Sequence, residues 1–332
     1  MFRFVALGLA LATAVPAAAQ TTGPEPTRLR YGQIAASARG VSSLPLYVAQ
    51  RRGFLARERI ALEVVPIKGG THFMLEALDK GAVDVTYTAT PYLIEAVLKG
   101  SSAVAVGGAS GNNIYTLVAK PEIASFADLK GKVVGVSLAV DTITISSRML
   151  LARHGLPPAS YRTVALVGTP ARAKCLVEGE CAAVPLNQPE DIDMAARGFR
   201  RLGDTLEVLP DLQFSVLAVK REWAAAHKDH LVRLLKAFAG AFEFMRAPAN
   251  RDAMTALIVD TMGTSPDTAR RLLALYYEPD KGVFPVRGEI TMKGFARVID
   301  LMAEAGQLAA PLPSPQRFVD LDYLRAAGVA QP

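Results

Sequence analysis

The chain of 332 residues holds only two cysteines, Cys175 and Cys181, and four histidines. That scarcity argues against a metal centre, because no histidine or further cysteine stands near the pair. His227-x-x-His230 puts two imidazoles at helical spacing, but its Ala-Ala-His-Lys-Asp-His surroundings read as solvated surface and no third ligand is spaced to help. Charge of one sign is scarce as well: 37 Lys and Arg against 31 Asp and Glu leave a net +6. The excess is scattered and not interleaved with aromatics, which excludes a nucleic-acid stripe. A mild positive field favours anionic ligands weakly. No G-x-S-x-G elbow and no Walker A loop occurs. Gly69-Gly70 and Gly107-Gly108 lack the third glycine of a nucleotide-binding turn. Asp84 and Asp141 read as single carboxylates with no visible partner. The chain is therefore expected not to be an enzyme and to carry no metal and no cofactor.

Long apolar runs are absent too, apart from Phe4–Val15. Arg3 before that run and Ala17-Ala18-Ala19 after it give residues 1–19 the form of a secretory signal, cleaved near Ala19. The run is shorter than the ~20 residues a membrane span needs. No cysteine follows the cleavage site and no Arg-Arg pair precedes the run, so neither a lipid anchor nor twin-arginine export is indicated. An exported protein, periplasmic in a cell with an outer membrane, is expected. In that oxidising setting Cys175 and Cys181 stand as a disulfide candidate; two small buried apolar residues are the other reading. The 51% apolar and 20% charged composition is that of a globular chain.

What is present is a punctuation pattern that occurs twice. Gly70, Thr71, Gly81, Pro91 and Gly100 recur 98 positions later as Gly168, Thr169, Gly179, Pro189 and Gly198. Glycine and proline are the strongest local breakers, so equal spacing predicts equal order of strands, turns and helices. Strands are expected at 29–34, 61–67, 83–87 and 103–106, and again at 132–136, 163–167 and 182–186. Helices begin between them, with Thr71, Thr90 and Thr169 as caps and prolines at the first helical position. This alternation implies α/β architecture, two lobes each built on a mostly parallel sheet flanked by helices. Residues 115–120 and 215–220 echo each other and are expected to be the two crossings between lobes, hence the hinge. Lobe one is then 28–117 plus 215–332, and lobe two 118–214. From Trp223 onward apolar residues recur at helical spacing, and these helices are expected to pack on lobe one.

In open parallel sheets ligands sit beyond the carboxyl ends of strands, where helix starts offer unpaired N–H groups. The candidate binding residues at such places are Ser42, Ser43, Tyr47, Gly70, Thr71, His72, Thr88 and Thr90 in lobe one. In lobe two they are Ser137, Asp141, Thr142, Gly168, Thr169, Asn187, Gln188 and Phe214. Arg39 and Arg172 are candidates for an anion clamp, and Tyr87 and Tyr92 for the pocket wall. Two opposed sets of helix starts predict a receptor for a small anionic or strongly polar ligand.

Three segments resemble a known family. They are Leu44-Pro45-Leu46-Tyr47-Val48-Ala49…Gly53-Phe54, Gly69-Gly70-Thr71…Ala77-Leu78…Gly81-Ala82-Val83-Asp84, and the run Ser125–Val136. They are similar to solute-binding proteins of ABC importers, in the nitrate/sulfonate/taurine and thiamine-precursor group (SsuA/TauA-like). The resemblance implies a type II periplasmic-binding-protein fold that closes on a small organic anion, a sulfonate or carboxylate. It implies a monomer whose partners are the solute and an ABC permease. The same superfamily contains thiamine-pyrimidine synthases with a Cys-rich iron site, which fits poorly with two cysteines and a signal sequence. A periplasmic sensor or docking protein is the third alternative.

Overall fold

The computed structural model describes residues 25–112, 114–277 and 283–330. The expected signal segment, 1–19, lies outside the described residues. The chain enters with β1 (Thr27–Ile34), α1 (Leu44–Arg51), α2 (Phe54–Arg57), β2 (Ile60–Ile67), α3 (His72–Asp79), β3 (Val85–Ala89), α4 (Thr90–Leu98) and β4 (Ala103–Ser110). It crosses to β5 (Thr116–Ala119), β6 (Val133–Val136), α5 (Thr142–Arg153), β7 (Arg162–Ala165), α6 (Thr169–Val177), β8 (Ala183–Leu186), α7 (Glu190–Ala196) and β9 (Arg200–Asp204). It then returns through β10 (Ser215–Lys220) to α8 (Arg221–Ala226), α9 (Lys228–Arg246), α10 (Arg251–Met262), α11 (Pro266–Tyr277), α12 (Met292–Glu304) and α13 (Asp322–Ala326).

Two five-stranded sheets result, in the orders β2-β1-β3-β10-β4 and β7-β6-β8-β5-β9. The orders are equivalent: in each, one antiparallel strand interrupts an otherwise parallel sheet. The duplication of breakers has a clear physical basis. Gly81 and Gly179 end α3 and α6 at φ +69 and +83, and Gly100 and Gly198 follow α4 and α7 at φ +105 and +92. Only glycine adopts that left-handed backbone without steric cost.

The echo of 115–120 in 215–220 is real but has a different meaning from the one expected. β5 and β10 are not crossings. Each is the buried antiparallel strand of its own sheet, in equivalent places. The chain passes from one sheet to the other after β4 and returns after β9. A lobe boundary at 117/118 would cut β5, whose four residues all pair within the second sheet. β9 went unread in the sequence because three of its five residues are charged.

The core of the first sheet is continuous with the C-terminal helices. α12 shows why: Phe295, Val298, Ile299 and Met302 are buried at the 3.6-residue period. Each such side chain contributes about 1.5–3 kcal/mol on burial. In the second lobe the two-residue period of β5 divides the core by sheet face. Leu117 packs with Val134 and Leu150, and Val118 with Cys175, Cys181 and Val184. Cys175 and Cys181 form a disulfide that ties the last turn of α6 to the second residue before β8. Among the described residues no helix is long and apolar enough to cross a membrane.

Candidate functional site

A cavity of about 680 Å³ opens where the carboxyl ends of both sheets face each other. From the first lobe it is walled by residues after β1 and β2 and at the end of β3, among them Ser42, Gly70, Thr71 and Ala89. The second lobe contributes the ends of β6, β7 and β8 through Ser137, Asp141, Gly168, Thr169 and Asn187. The floor comes from the two connections, through Asn112, Ile114, Tyr115 and Phe214. Tyr87, Tyr92, Tyr276 and Phe284 add aromatic wall. Burial pushes the Tyr92 and Tyr115 phenols far above their usual value, so they are neutral hydroxyls.

The lobes meet around this space. Tyr92 of α4 donates to Asp141 Oδ2 at 3.5 Å. Tyr276 of α11 donates to Gln188 Oε1. Gln307 donates to the Ala139 carbonyl at 2.6 Å. Gly70 lies so close to Val167 that a Cβ there would stand 2.8 Å from its side chain.

Several sequence candidates do not line the cavity, and most of them have a structural occupation instead. Ser43 bonds Gln33 and the Ser37 carbonyl beneath the first loop. Tyr47 donates to the Ala38 carbonyl. His72 lies beside the Phe73 ring, centroids 4.1 Å apart, and its Nδ1 is buried without a partner. Thr88 donates to the Thr71 carbonyl at 3.4 Å, and Thr90 to the Gln213 carbonyl. Thr142 is fully buried with an unpartnered hydroxyl. Gln188 is buried in a second crevice, where its amide donates to Asp191.

The helix starts also differ from expectation. The hydroxyl of Thr71 occupies the cap position of α3 without bonding its backbone. Thr90 and Thr169 are already the first helical residues, which puts Pro91 and Pro170 at the second. Neither expected lone carboxylate is alone. Asp84 accepts from Arg30 Nη2 at 2.5 Å and Nε at 3.2 Å. Asp141 caps α5 by accepting from Ile143 N at 3.0 Å, and also accepts from Ser137 at 2.8 Å. Burial still raises its pKa above the usual carboxylate range, because desolvation outweighs those bonds.

Arg172 departs furthest from an exposed clamp. It is fully buried, donating from Nε to the Pro185 carbonyl at 2.7 Å and from Nη1 to the Leu166 carbonyl at 3.2 Å. Nη2 donates to Thr169 Oγ1 at 3.1 Å. Its guanidinium carbon lies 5.6 Å from the centre of the Tyr115 ring. It joins α6 to the ends of β7 and β8.

Residues 41–250 match the family described as NMT1/THI5 like. The chain belongs to this family. No curated protein matches it by sequence. Among solved structures it is similar to the alkanesulfonate-binding protein SsuA from Xanthomonas axonopodis pv. citri bound to MOPS. That likeness has 21% identity and a TM-score of 0.69, covering 89% of this chain and 99% of the other. It is similar to the periplasmic nitrate-binding protein NrtA from Synechocystis PCC 6803 at 16% identity and a TM-score of 0.73, covering 92% and 89%. A DSZB variant in complex with biphenyl-2-sulfinic acid matches at 17% identity and a TM-score of 0.63, covering 90% and 98%. The two-lobed periplasmic-binding-protein fold is thereby shown.

This NMT1/THI5-like chain also puts residues at the cavity that sequence reasoning missed. Glu190 and Asp193 of α7 line it, as do Tyr115 and Tyr276. Acids in a first helical turn read as ordinary complements of the helix dipole, which hid Glu190. The position of Arg172 was readable: Thr169, Arg172, Cys175 and Leu176 follow helical spacing and form the buried face of α6.

Proposed function

We propose that the chain is the solute-binding receptor of an ABC importer. It takes a small organic solute into the cleft between its lobes, closes, and presents the closed form to a permease outside the cytoplasmic membrane. The observation that carries this reading is the cavity walled by strand ends of both sheets, of a volume suited to a small organic solute. Closure needs no chemistry. The solute stabilises the closed state through contacts to both lobes that the open state lacks. The two moving bodies are the sheets with their helices, and the connections 111–115 and 205–214 are the hinge. The chain acts as an exported monomer and not as an enzyme. Ser42, Thr71, Ser137 and Asn187 supply polar contacts, and Tyr87, Tyr92, Tyr115 and Phe214 supply the walls.

The test is a thermal-shift screen of small organic solutes on the mature protein, because a tight ligand raises the unfolding midpoint by mass action. Hits are expected to bind one to one by calorimetry, to be recovered unchanged, and to reduce the radius of gyration in solution scattering. Thr71→Ala is expected to weaken binding with an unchanged midpoint. Conversion of the solute to product, or binding with no change in scattering, refutes the reading.

A further inference from the structure

The cleft was expected to receive an anion on opposed helix starts. Several of the donors for that task are missing or engaged. Pro91 and Pro170 remove an N–H from the first turns of α4 and α6. The N–H of Thr90 is bonded to the Phe214 carbonyl at 3.0 Å. At α5 the N–H of Ile143 goes to Asp141, and those of Thr144 and Ile145 to the Asp141 carbonyl. At α7 the N–H of Asp191 goes to the Asn187 carbonyl at 3.1 Å. Of the two cations lining the cavity, Arg172 directs three of its five N–H groups at protein oxygens, and Arg39 donates from Nε to the Thr261 carbonyl at 3.1 Å.

The acceptors show the opposite balance. Glu190 Oε2 and Asn187 Oδ1, both of residues lining the cavity, are buried without a hydrogen-bond partner. Asp141 and Asp193 bring further carboxylates to the same wall. A buried acceptor left unmatched costs about 1–3 kcal/mol, more when charged, so a guest that supplies donors recovers that cost. Around these acceptors stand neutral aromatic rings, which attract cations through their faces.

We propose that the cleft selects a small organic cation, an amine or amidine on an apolar body, whose N–H groups are received by Glu190 Oε2 and Asn187 Oδ1. This rests on the receptor reading and names the substrate class of the same site. The apolar body lies against Tyr115, Tyr276 and Phe214. Specificity against anions comes from these two acceptors, to which an anion offers no hydrogen.

The experiment uses charge-inverted probes of matched shape on the mature protein: benzamidine against benzoate, and benzylamine against phenylmethanesulfonate. Binding is read by calorimetry and thermal shift. The cation of each pair is expected to bind at least tenfold more tightly than its anion. Glu190→Gln is expected to reduce cation affinity at least tenfold at an unchanged unfolding midpoint, and Asn187→Ala to reduce it less. If the anions bind as tightly or more tightly, the proposal is overturned while the receptor reading stands. Cation binding that neither variant weakens overturns the assignment of Glu190 and Asn187. Failure of every probe, cation and anion alike, overturns the proposal and counts against the receptor reading as well.

Discussion

Arg172 offers the sharpest test of the site as described. Replacing it with methionine keeps the length of the stem and removes the guanidinium. Left behind are the carbonyls of Pro185 and Leu166 and the hydroxyl of Thr169, in a region where Arg172 itself is 1% exposed. Hydrogen bonds to a charged group contribute about 1.5–3 kcal/mol each, and an orphaned buried carbonyl costs about 1–3 kcal/mol. Against this stands relief of the cost of burying a charge, several kcal/mol by itself. The loss expected for Arg172→Met is therefore about 3 kcal/mol, with Arg172→Lys intermediate because an ammonium cannot reproduce the planar fork. Urea unfolding followed by far-UV circular dichroism measures it. Tryptophan fluorescence does not, since the one tryptophan, Trp223, sits in α8 after the first sheet. Hydrogen exchange should localise the loss to residues 166–186. If Arg172→Met unfolds at the wild-type urea concentration but loses solute affinity, the guanidinium serves the ligand and the reasoning fails.

Asp141→Ala should cost about 1–2 kcal/mol through loss of the α5 cap, whereas Asp141→Asn should retain most of the cap, as thermal midpoints will reveal. A carboxyl whose folded pKa is raised binds protons more tightly folded than unfolded, so its stability contribution falls as pH rises from the ordinary carboxylate range to the raised value. Asp141→Asn should therefore lose less stability than wild type as pH rises through and above the ordinary carboxylate range in urea titrations; an identical slope removes Asp141 as a cause. Replacing both Cys175 and Cys181 with serine opens a loop with a sequence separation of 6 and should cost about 2 kcal/mol, matched by wild type under reductant. Gly108→Ala should fail to fold at all, because a Cβ there would lie 2.0 Å from the Glu289 carbonyl oxygen; soluble expression with a native midpoint contradicts that contact.

The difference between what the sequence revealed and what it hid follows from the range of the interactions involved. Gly81, Gly100, Gly179 and Gly198 announce themselves because a left-handed backbone is a local demand that glycine alone meets cheaply. The repeat of strand and helix order is legible for the same reason. That β5 and β10 are equivalent antiparallel strands is not local: alternation marks a run as a strand, but its partners lie in other segments, more than a hundred positions away for Ala218 and Thr86 or Ser215 and Ser110. The first sheet thus borrows β10 from beyond the second lobe, and two connections between lobes follow from that loan. The site repeats the lesson at the scale of single groups. Small polar residues at helix starts locate the cleft, because ligand sites follow strand ends. Whether a given N–H is open there depends on partners such as the Phe214 carbonyl for Thr90, far off in sequence. Sequence therefore located the cleft, while the bonding state of each group around it is set by the tertiary fold. A wall rich in helix starts reads as a donor surface, yet prolines, a capping aspartate and tertiary carbonyls take up part of those donors, and Glu190 Oε2 and Asn187 Oδ1 stand without a partner.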